Sequence, residues 1–161
     1  MSSLPDFRRV ESFLYREARL MDENAYLEWF SLWATGDDIC YWVPSSAGET
    51  DPAEQISIIY DNRRRLEARI KRLASGYAYA QDPKSRMSRV ISNIEIDQAA
   101  DEIVTTWSNF VLGEFRRGKQ DIFVGRTMHR LRPEAENFKI LLKKVFLLNS
   151  DGYIDNLTFL V

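Results

Sequence analysis

Histidine and cysteine are nearly absent from this chain, which holds one of each, His129 and Cys40. That scarcity excludes whole classes of metal chemistry. A structural zinc site of the cysteine–histidine type needs a full set of such ligands. A non-haem iron facial triad needs a pair of histidines beside a carboxylate. An iron–sulfur cluster held by mixed cysteine and histidine ligation needs a pair of each. None of these can be built from His129 and Cys40 alone. A lone cysteine also forms no intrachain disulfide, which fits a reducing compartment and leads us to expect a cytoplasmic protein.

Other absences narrow the reading further. The seven glycines are scattered, and no dinucleotide-binding glycine fingerprint, Walker loop or nucleophile elbow occurs. No apolar run approaches a membrane span, since the richest, Phe138 to Leu148, is interrupted by Lys139, Lys143 and Lys144. Arg8, Arg9, Glu11, Arg16, Glu17 and Arg19 break up the N-terminal stretch that a signal peptide would need. The net charge of −2 gives no bulk attraction to nucleic acid or an anionic membrane.

What remains is an ordinary globular composition, 45% hydrophobic and 29% charged, in 161 residues. That length suits one domain, expected to span residues 1–161, with a sizeable core. The first half reads helical. Pro5 and Asp6 suit a helix start, after which Val10, Phe13, Leu14, Ala18 and Met21 recur at helical spacing. Asn24 is expected to cap a short second helix carrying Tyr26, Leu27, Phe30 and Trp33, ended by Thr35-Gly36-Asp37. Asp38 to Val43 reads as a strand stopped by Pro44, and residues 45–53 as a loop. A third helix is expected over Asp61 to Ser75, with Leu66, Ile70 and Leu73 as its apolar stripe and Gly76 as its stop.

The second half reads as long strands: Ser85 to Asp97, Glu102 to Phe115, Gln120 to Leu131, Phe138 to Asn149 and Asn156 to Val161. Arg116–Lys119 and Pro133–Asn137 are the expected hairpin connections. Helices followed by strands predict an α+β fold, with N-terminal helices packed on a long, strongly curved, mainly antiparallel sheet.

His129 falls on the strand face shared by Phe123, Gly125, Thr127 and Leu131. Functionally it reads as a general base in a concave pocket, helped by Asp37, Tyr41 or Asp121. Structurally it reads as a hydrogen-bonded histidine in a core or at a subunit contact. Cys40 reads as a buried, inert thiol. Residues 63–72 carry six basic side chains, and Arg65, Arg69 and Arg72 flank the Leu66–Ile70–Leu73 stripe. The acidic balance and the lack of interleaved aromatics favour a protein interface over nucleic acid. Trp42 points opposite to Tyr41 and Val43, so one of these faces lies outside the core and is an interface candidate.

Several segments taken together then resemble a known family. They are Tyr41-Trp42-Val43-Pro44; Ile58-Ile59-Tyr60-Asp61-Asn62-Arg63 leading into Leu66 to Leu73; and Asp82-Pro83-Lys84-Ser85-Arg86 leading into Val90-Ile91-Ser92-Asn93-Ile94. Asp121-Ile122-Phe123-Val124-Gly125-Arg126, Leu131-Arg132 and Asn156-Leu157-Thr158-Phe159-Leu160 follow in order. The set resembles the small (β) subunit of bacterial aromatic-ring-hydroxylating dioxygenases, the Rieske non-haem iron oxygenases, over nearly the whole chain. Departures occur at Ser88-Arg89, where the family often has Arg-His; in Arg126 to Arg132, where it often has an Arg-x-Asp-x-Leu-Arg stretch; and at Asn149, where it often has aspartate. The short N-terminus looks more like benzoate-type than biphenyl-type subunits.

The resemblance implies a cone-shaped fold like that of ketosteroid isomerase, SnoaL and scytalone dehydratase. It implies a large α subunit holding a Rieske 2Fe-2S cluster and a mononuclear Fe(II), with no cofactor and no catalytic residue in this chain. It also implies an α3β3 hexamer whose small subunits form a trimeric base. NAD(P)H would supply electrons through a reductase, sometimes with a ferredoxin, and the complex would add dioxygen to an aromatic ring to give a cis-dihydrodiol. The small subunit would be structural, in some systems influencing substrate preference, with Trp42, Arg63, Arg65, Arg69, Arg126 and Arg130 as interface candidates. The alternative on the same fold is a stand-alone isomerase or dehydratase that uses the cone cavity with His129. A ligand-binding or transport adaptor is a third possibility.

Overall fold

The computed structural model describes residues 5–45, 57–75, 83–148 and 159–161, apart from the side chains of residues 98 and 99. The elements run α1 (Phe7–Asp22), α2 (Tyr26–Ser31), β1 (Cys40–Pro44), β2 (Ser57–Asp61), α3 (Arg63–Ser75), β3 (Arg86–Ala100), β4 (Ile103–Arg116), β5 (Lys119–Glu134) and β6 (Asn137–Leu147). The strands form one mixed sheet in the order β2-β1-β6-β5-β4-β3. β1 runs parallel to β6, and every other neighbouring pair is antiparallel. The α+β expectation is met.

Helix α1 begins where the Asp6 carboxylate accepts from the Arg8 backbone N–H, as Pro5-Asp6 led us to expect. It buries Val10, Phe13, Leu14, Glu17, Ala18, Leu20 and Met21. Asn24 does not cap α2. It sits at φ 56°, in the left-handed region that stops α1, and its backbone N–H donates to the Met21 carbonyl. Its side-chain amide bonds the Ser85 carbonyl and accepts from the Tyr26 hydroxyl. The residue at the N-cap of α2 is Ala25, with no side-chain hydrogen bond. α2 also stops short of Thr35-Gly36-Asp37. β6 captures the backbone after Ser31: Ile140 N–H donates to the Leu32 carbonyl, and Ala34 N–H to the Ile140 carbonyl.

The β2 strand was not expected, and Asp61 closes it instead of opening α3. The Asn62 side chain accepts from the Arg65 backbone N–H, so the third helix starts two residues later than the periodicity suggested. Of the expected last strand, Phe159 to Val161 are buried but lie outside any strand, and the rest falls outside the described residues, as do Gly76 and most of the 45–53 loop. The three long hairpins turn tightly. Asp101 and Glu102 (φ 53° and 63°) join β3 to β4, and Arg117 and Gly118 (φ 52° and 78°) join β4 to β5. Paired positive φ angles give a turn whose twist matches that of the strands.

Side chains alternate between a helix-covered inner face and an outer face, and the register shifts within β1–β2, β3–β4 and β5–β6 interrupt the pattern. A bulge between Arg130 and Leu131 of β5 and the facing β6 residues offsets the register there. In β6, Phe138 and Ile140 are buried before the bulge, and Lys143, Val145 and Leu147 after it. The bulge thus turns Lys143 inward and Lys144 outward.

Gly125 of β5 has no room for a side chain: an added Cβ would sit 2.8 Å from the Phe110 ring and against the Phe146 carbonyl. Gly125→Ala is expected to cost about 1–3 kcal/mol through overpacking. Thermal denaturation should then show a midpoint lower by roughly 2–4 °C per kcal/mol.

Candidate functional site: a sealed inner cluster and an outer aromatic band

Two adjacent rungs of the sheet organise its two faces. On the inner side, Thr106, His129, Lys143, Tyr41 and Asp61 are successive register partners across β4, β5, β6, β1 and β2. All five are buried. Glu17 descends onto this row from α1. One carboxylate oxygen lies 3.0 Å from His129 Nε2 and 3.2 Å from Lys143 Nζ. The other accepts from Trp29 Nε1 at 2.6 Å and Lys143 Nζ at 2.8 Å. Asp61, at the far end of the row, takes a two-point contact from Arg69, at 2.6 and 3.2 Å. Arg89 of β3 binds Asp22 at 2.7 Å and reaches the Leu160 carbonyl at 3.1 Å, tying α1 and the C-terminal residues to the sheet.

The electrostatics are those of a mutually satisfied cluster. Burial by itself would raise the Glu17 carboxyl, but Lys143 and His129 outweigh it and hold the group well below the ordinary carboxylate range. Burial pulls Lys143 down to about 8 against the attraction of Glu17, so it stays charged at neutral pH. Burial likewise lowers His129 below its ordinary 6.5, against the pull of Glu17. A neutral ring facing an ionised carboxylate must donate from Nε2.

The acid partner of His129 is therefore Glu17, and none of Asp37, Tyr41 or Asp121 fills that role. Asp37 is exposed in a turn, Tyr41 lies beyond Lys143, and Asp121 faces Glu114 further along β5. The Tyr41 hydroxyl instead donates to the Val161 carbonyl and accepts from its N–H. Two signals for the cluster were present in the chain. Glu17 interrupts the apolar stripe of α1 at helical spacing, and Lys143 interrupts an apolar strand. The second was unreadable as an inward residue because the bulge reverses the alternation.

A catalytic reading of this cluster needs room for a substrate. The cavity beside His129 amounts to ≈ 10 Å³ and is lined by Leu14, Glu17, Met21, Phe110, Thr127 and Lys143 among others. Small-molecule sites occupy about 300–1,000 Å³. Cys40 sits on β1, opposite Leu142 of β6, away from His129, and burial pushes its thiol up to about 11. Among the described residues no group of three or more His, Cys, Asp or Glu could hold a metal ion. Single imidazole and thiol groups so placed do not fit an iron–sulfur cluster or a mononuclear iron.

The adjacent rung, whose side chains point to the outer face, is different in kind. Tyr60, Trp42, Lys144, Met128 and Trp107 are successive register partners there. Trp42 meets Tyr60 edge-on at 5.6 Å, and its Nε1 donates to the Ser57 hydroxyl at 2.9 Å. Lys144 Nζ lies 3.8 Å from the centre of the Trp42 ring and 4.9 Å from that of Phe146. Phe146 stacks on Trp107, and the Arg126 guanidinium covers Trp107 at 4.2 Å. The result is a continuous aromatic–cation band on the face that no helix among the described residues covers. Beside it, Val90, Val111 and Val124 form a row in which Val90 is 66% exposed, and Ile122 on the next rung but one is 64% exposed.

The six interface candidates divide between these settings. Trp42 and Arg126 belong to the outer band, and Arg130 is exposed on the same face of β5. Arg65 is exposed on α3 and touches the Tyr60 carbonyl at 3.3 Å. Arg63 and Arg69 are engaged inside the chain, Arg63 with the Ala34 carbonyl and the Phe30 ring and Arg69 with Asp61. The structure does not gather the six into one patch.

Helices packed on one face of a long mixed sheet, in this order and topology, define an α+β sheet-and-helix class of fold. The comparisons give the family. Residues 16–151 match the family model described as the ring hydroxylating beta subunit, and the chain belongs to that family. The small oxygenase component of the p-cumate 2,3-dioxygenase system of Pseudomonas putida is 35% identical over 140 residues, covering 86% of this chain and 77% of that protein. The crystal structure of the benzoate 1,2-dioxygenase beta subunit of Burkholderia mallei superposes with a TM-score of 0.78 at 28% identity, covering 99% of this chain and all of that one. A chain described as a scytalone dehydratase from Novosphingobium aromaticivorans shares the fold alone, with a TM-score of 0.64 at 13% identity over 92% of this chain and 89% of that one. The expected cone fold is thereby confirmed. No helix among the described residues is long and apolar enough to cross a membrane.

Glu17→Gln leaves Lys143 charged and buried without its counter-ion, and is expected to cost about 3–5 kcal/mol. Lys143→Met should cost less in that background than in the wild type, by roughly 1–3 kcal/mol in a double-mutant cycle followed by urea unfolding. Equal costs in both backgrounds would refute the coupling. The pH dependence has a definite sign. As the pH falls below 6.5, the unfolded chain takes up a proton on its only histidine that folded His129 refuses, so stability drops. A second loss begins below 4.5, where unfolded Glu17 protonates first. In urea midpoints measured against pH, His129→Gln should flatten the limb between 6.5 and 4.5 and leave the lower one.

Proposed function

We propose that this chain is the non-catalytic structural subunit of a multicomponent aromatic-ring-hydroxylating dioxygenase, acting by holding metal-bearing large subunits in an assembly. Membership of the beta-subunit family carries the reading. Its physical counterpart is the contrast between the two sides of the sheet: the inner polar groups are consumed by one another, while the outer band presents aromatics and cations to a partner. Interface cores favour aromatic residues and arginine, and an arginine stacked on tryptophan keeps its edge donors free for carboxylates.

In this reading three copies form the base of an α3β3 hexamer, and the complex is cytoplasmic. Each large subunit carries a Rieske 2Fe-2S cluster and a mononuclear Fe(II). A reductase, in some systems with a ferredoxin, delivers electrons from NAD(P)H to the large subunit. Trp42, Arg126, Arg130 and Arg65 are the contact residues toward other subunits. Arg63 and Arg69 serve the interface indirectly, by anchoring α3.

Co-expression with the large-subunit gene, followed by native mass spectrometry and iron analysis, tests this. The expected result is an equimolar hexamer whose iron stays with the large chain when the two are separated. A chain that stays monomeric beside that partner refutes the reading. Trp42→Ala and Arg126→Glu should weaken assembly while leaving the unfolding midpoint of the isolated chain nearly unchanged. Arg69→Ala should lower that midpoint, because it strands buried Asp61 at a cost of about 1–3 kcal/mol.

A further inference from the structure

Opposite charges lie in two separate rows on the outer face. On the edge strand β3, Glu95 is the register partner of Trp107, and Asp97 stands in the irregularity between Ile96 and Gln98. Both acids are exposed. On β5, Arg126 and Arg130 are exposed on either side of Met128, which pairs with the same Trp107. Two strand spacings, about 10 Å, separate the rows. The ion pairs among the described residues do not join them. Along the same strands, exposed Val90 of β3 and half-buried Val124 of β5 both pair with Val111.

The edge strand is thus a rim whose spacing matches that of the β5 row. The step from Val90 to Glu95 equals the step from Val124 to Met128, because both are measured against Val111 and Trp107 of β4. The irregularity between Ser92 and Glu95 absorbs the extra length of β3. β3 and β5 also run the same way, each antiparallel to β4. We propose that the β3 rim of one copy of this chain docks along the β5 row of the next copy, with Val90 on Val124 and Glu95 between Arg126 and Arg130. In that register apolar groups meet apolar groups and acids meet arginines. Arg126, stacked on Trp107, keeps its edge donors for the neighbour's carboxylate. The opposite direction would put Glu95 on the valines and Val90 among the arginines, so the contact has one polarity. Rim and row are different surfaces, which makes the contact heterologous and ring-forming. A rotation axis along the strands keeps neighbouring copies running the same way. Closure at three rests on the structural-subunit reading above.

Mild oxidation of cysteine variants, in the complex co-purified with the large subunit, tests the register. In a Cys40→Ser background, Val90→Cys and Val124→Cys cannot pair within one chain, since a disulfide needs Cα atoms within about 7 Å. The Val90→Cys/Val124→Cys variant should give small chains linked between positions 90 and 124, up to a covalent trimer, as read by peptide mapping. Neither single variant should link to its own kind. A double variant that stays unlinked in an assembled complex overturns the proposal, and so does a single variant that links to itself. Charge reversal gives a second reading by sedimentation of the chain alone. Glu95→Arg/Asp97→Arg should weaken self-association by at least about tenfold, and adding Arg126→Glu/Arg130→Glu should restore it. A folded fourfold variant without that recovery also overturns the contact. Failure of the wild-type chain to join the large subunit counts instead against the structural-subunit reading, and the same oxidation of the chain alone then decides the contact.

Discussion

The Glu17 carboxylate is the constraint around which the fold is arranged. It leaves water at a cost of several kcal/mol, which only near-complete hydrogen bonding can offset. Its four contacts come from three separate elements: Trp29 on α2, His129 on β5 and Lys143 on β6. To meet them, α1 must lie across the middle of the sheet at one height and one rotation. Apolar contacts such as Phe13 against Phe138 fill the space around the cluster but would tolerate sliding. The ion pair does not, because a shift of one helical turn would leave a buried carboxylate and a buried ammonium each without its partner. Trp29 then fixes its ring neighbours Trp33 and Tyr41 in edge-to-face contact. Tyr41 in turn holds the backbone of Val161.

The same saturation removes the cluster from chemistry. A general acid or base needs a lone pair or proton available to a substrate and a pKa near the working pH. Glu17 is held far below that range and both its oxygens are occupied. His129 is neutral, with its Nε2 proton committed to Glu17 and its Nδ1 buried with almost no accessible surface. The fold is one that elsewhere carries dehydratases, yet fold alone assigns no activity. Among the described residues, the cavity beside His129 amounts to ≈ 10 Å³ and is walled by Phe110, Met21, Leu14 and the cluster itself.

How much of this could be read from the chain follows from the range of the interactions involved. The long strands and the apolar faces of α1 and α3 were legible because periodicity reports local burial, and the Arg117-Gly118 hairpin because its turn residues sit between alternating runs. The errors occur where a distant element overrides a local preference. Asn24 looks like a cap but serves as a left-handed stop. α2 ends early because β6 takes its backbone, and β2 was hidden because five residues carry too short an alternation to stand out. Glu17 was visible only as a charge on an apolar stripe. Its pairing with His129, 112 positions away, and with Lys143, 126 positions away, depends on strand register. Sequence likewise places arginines on a helix flank but does not show that Arg69 pairs with Asp61.

The β5–β6 bulge links the two halves of the molecule's behaviour. By reversing alternation in β6 it sends Lys143 to Glu17 and Lys144 to the opposite face between Trp42 and Phe146. Without it, one lysine would lack a counter-ion and the other would sit in the core. The inner pair needs a low-dielectric, closed environment to be strong, whereas the outer lysine and Arg126 lie over aromatic rings on the other face. A single irregularity in one strand pair therefore separates the residues that hold the subunit together from those positioned to hold it to others. A chain built this way contributes to an oxidoreductase through shape and contact, with its only imidazole committed to folding.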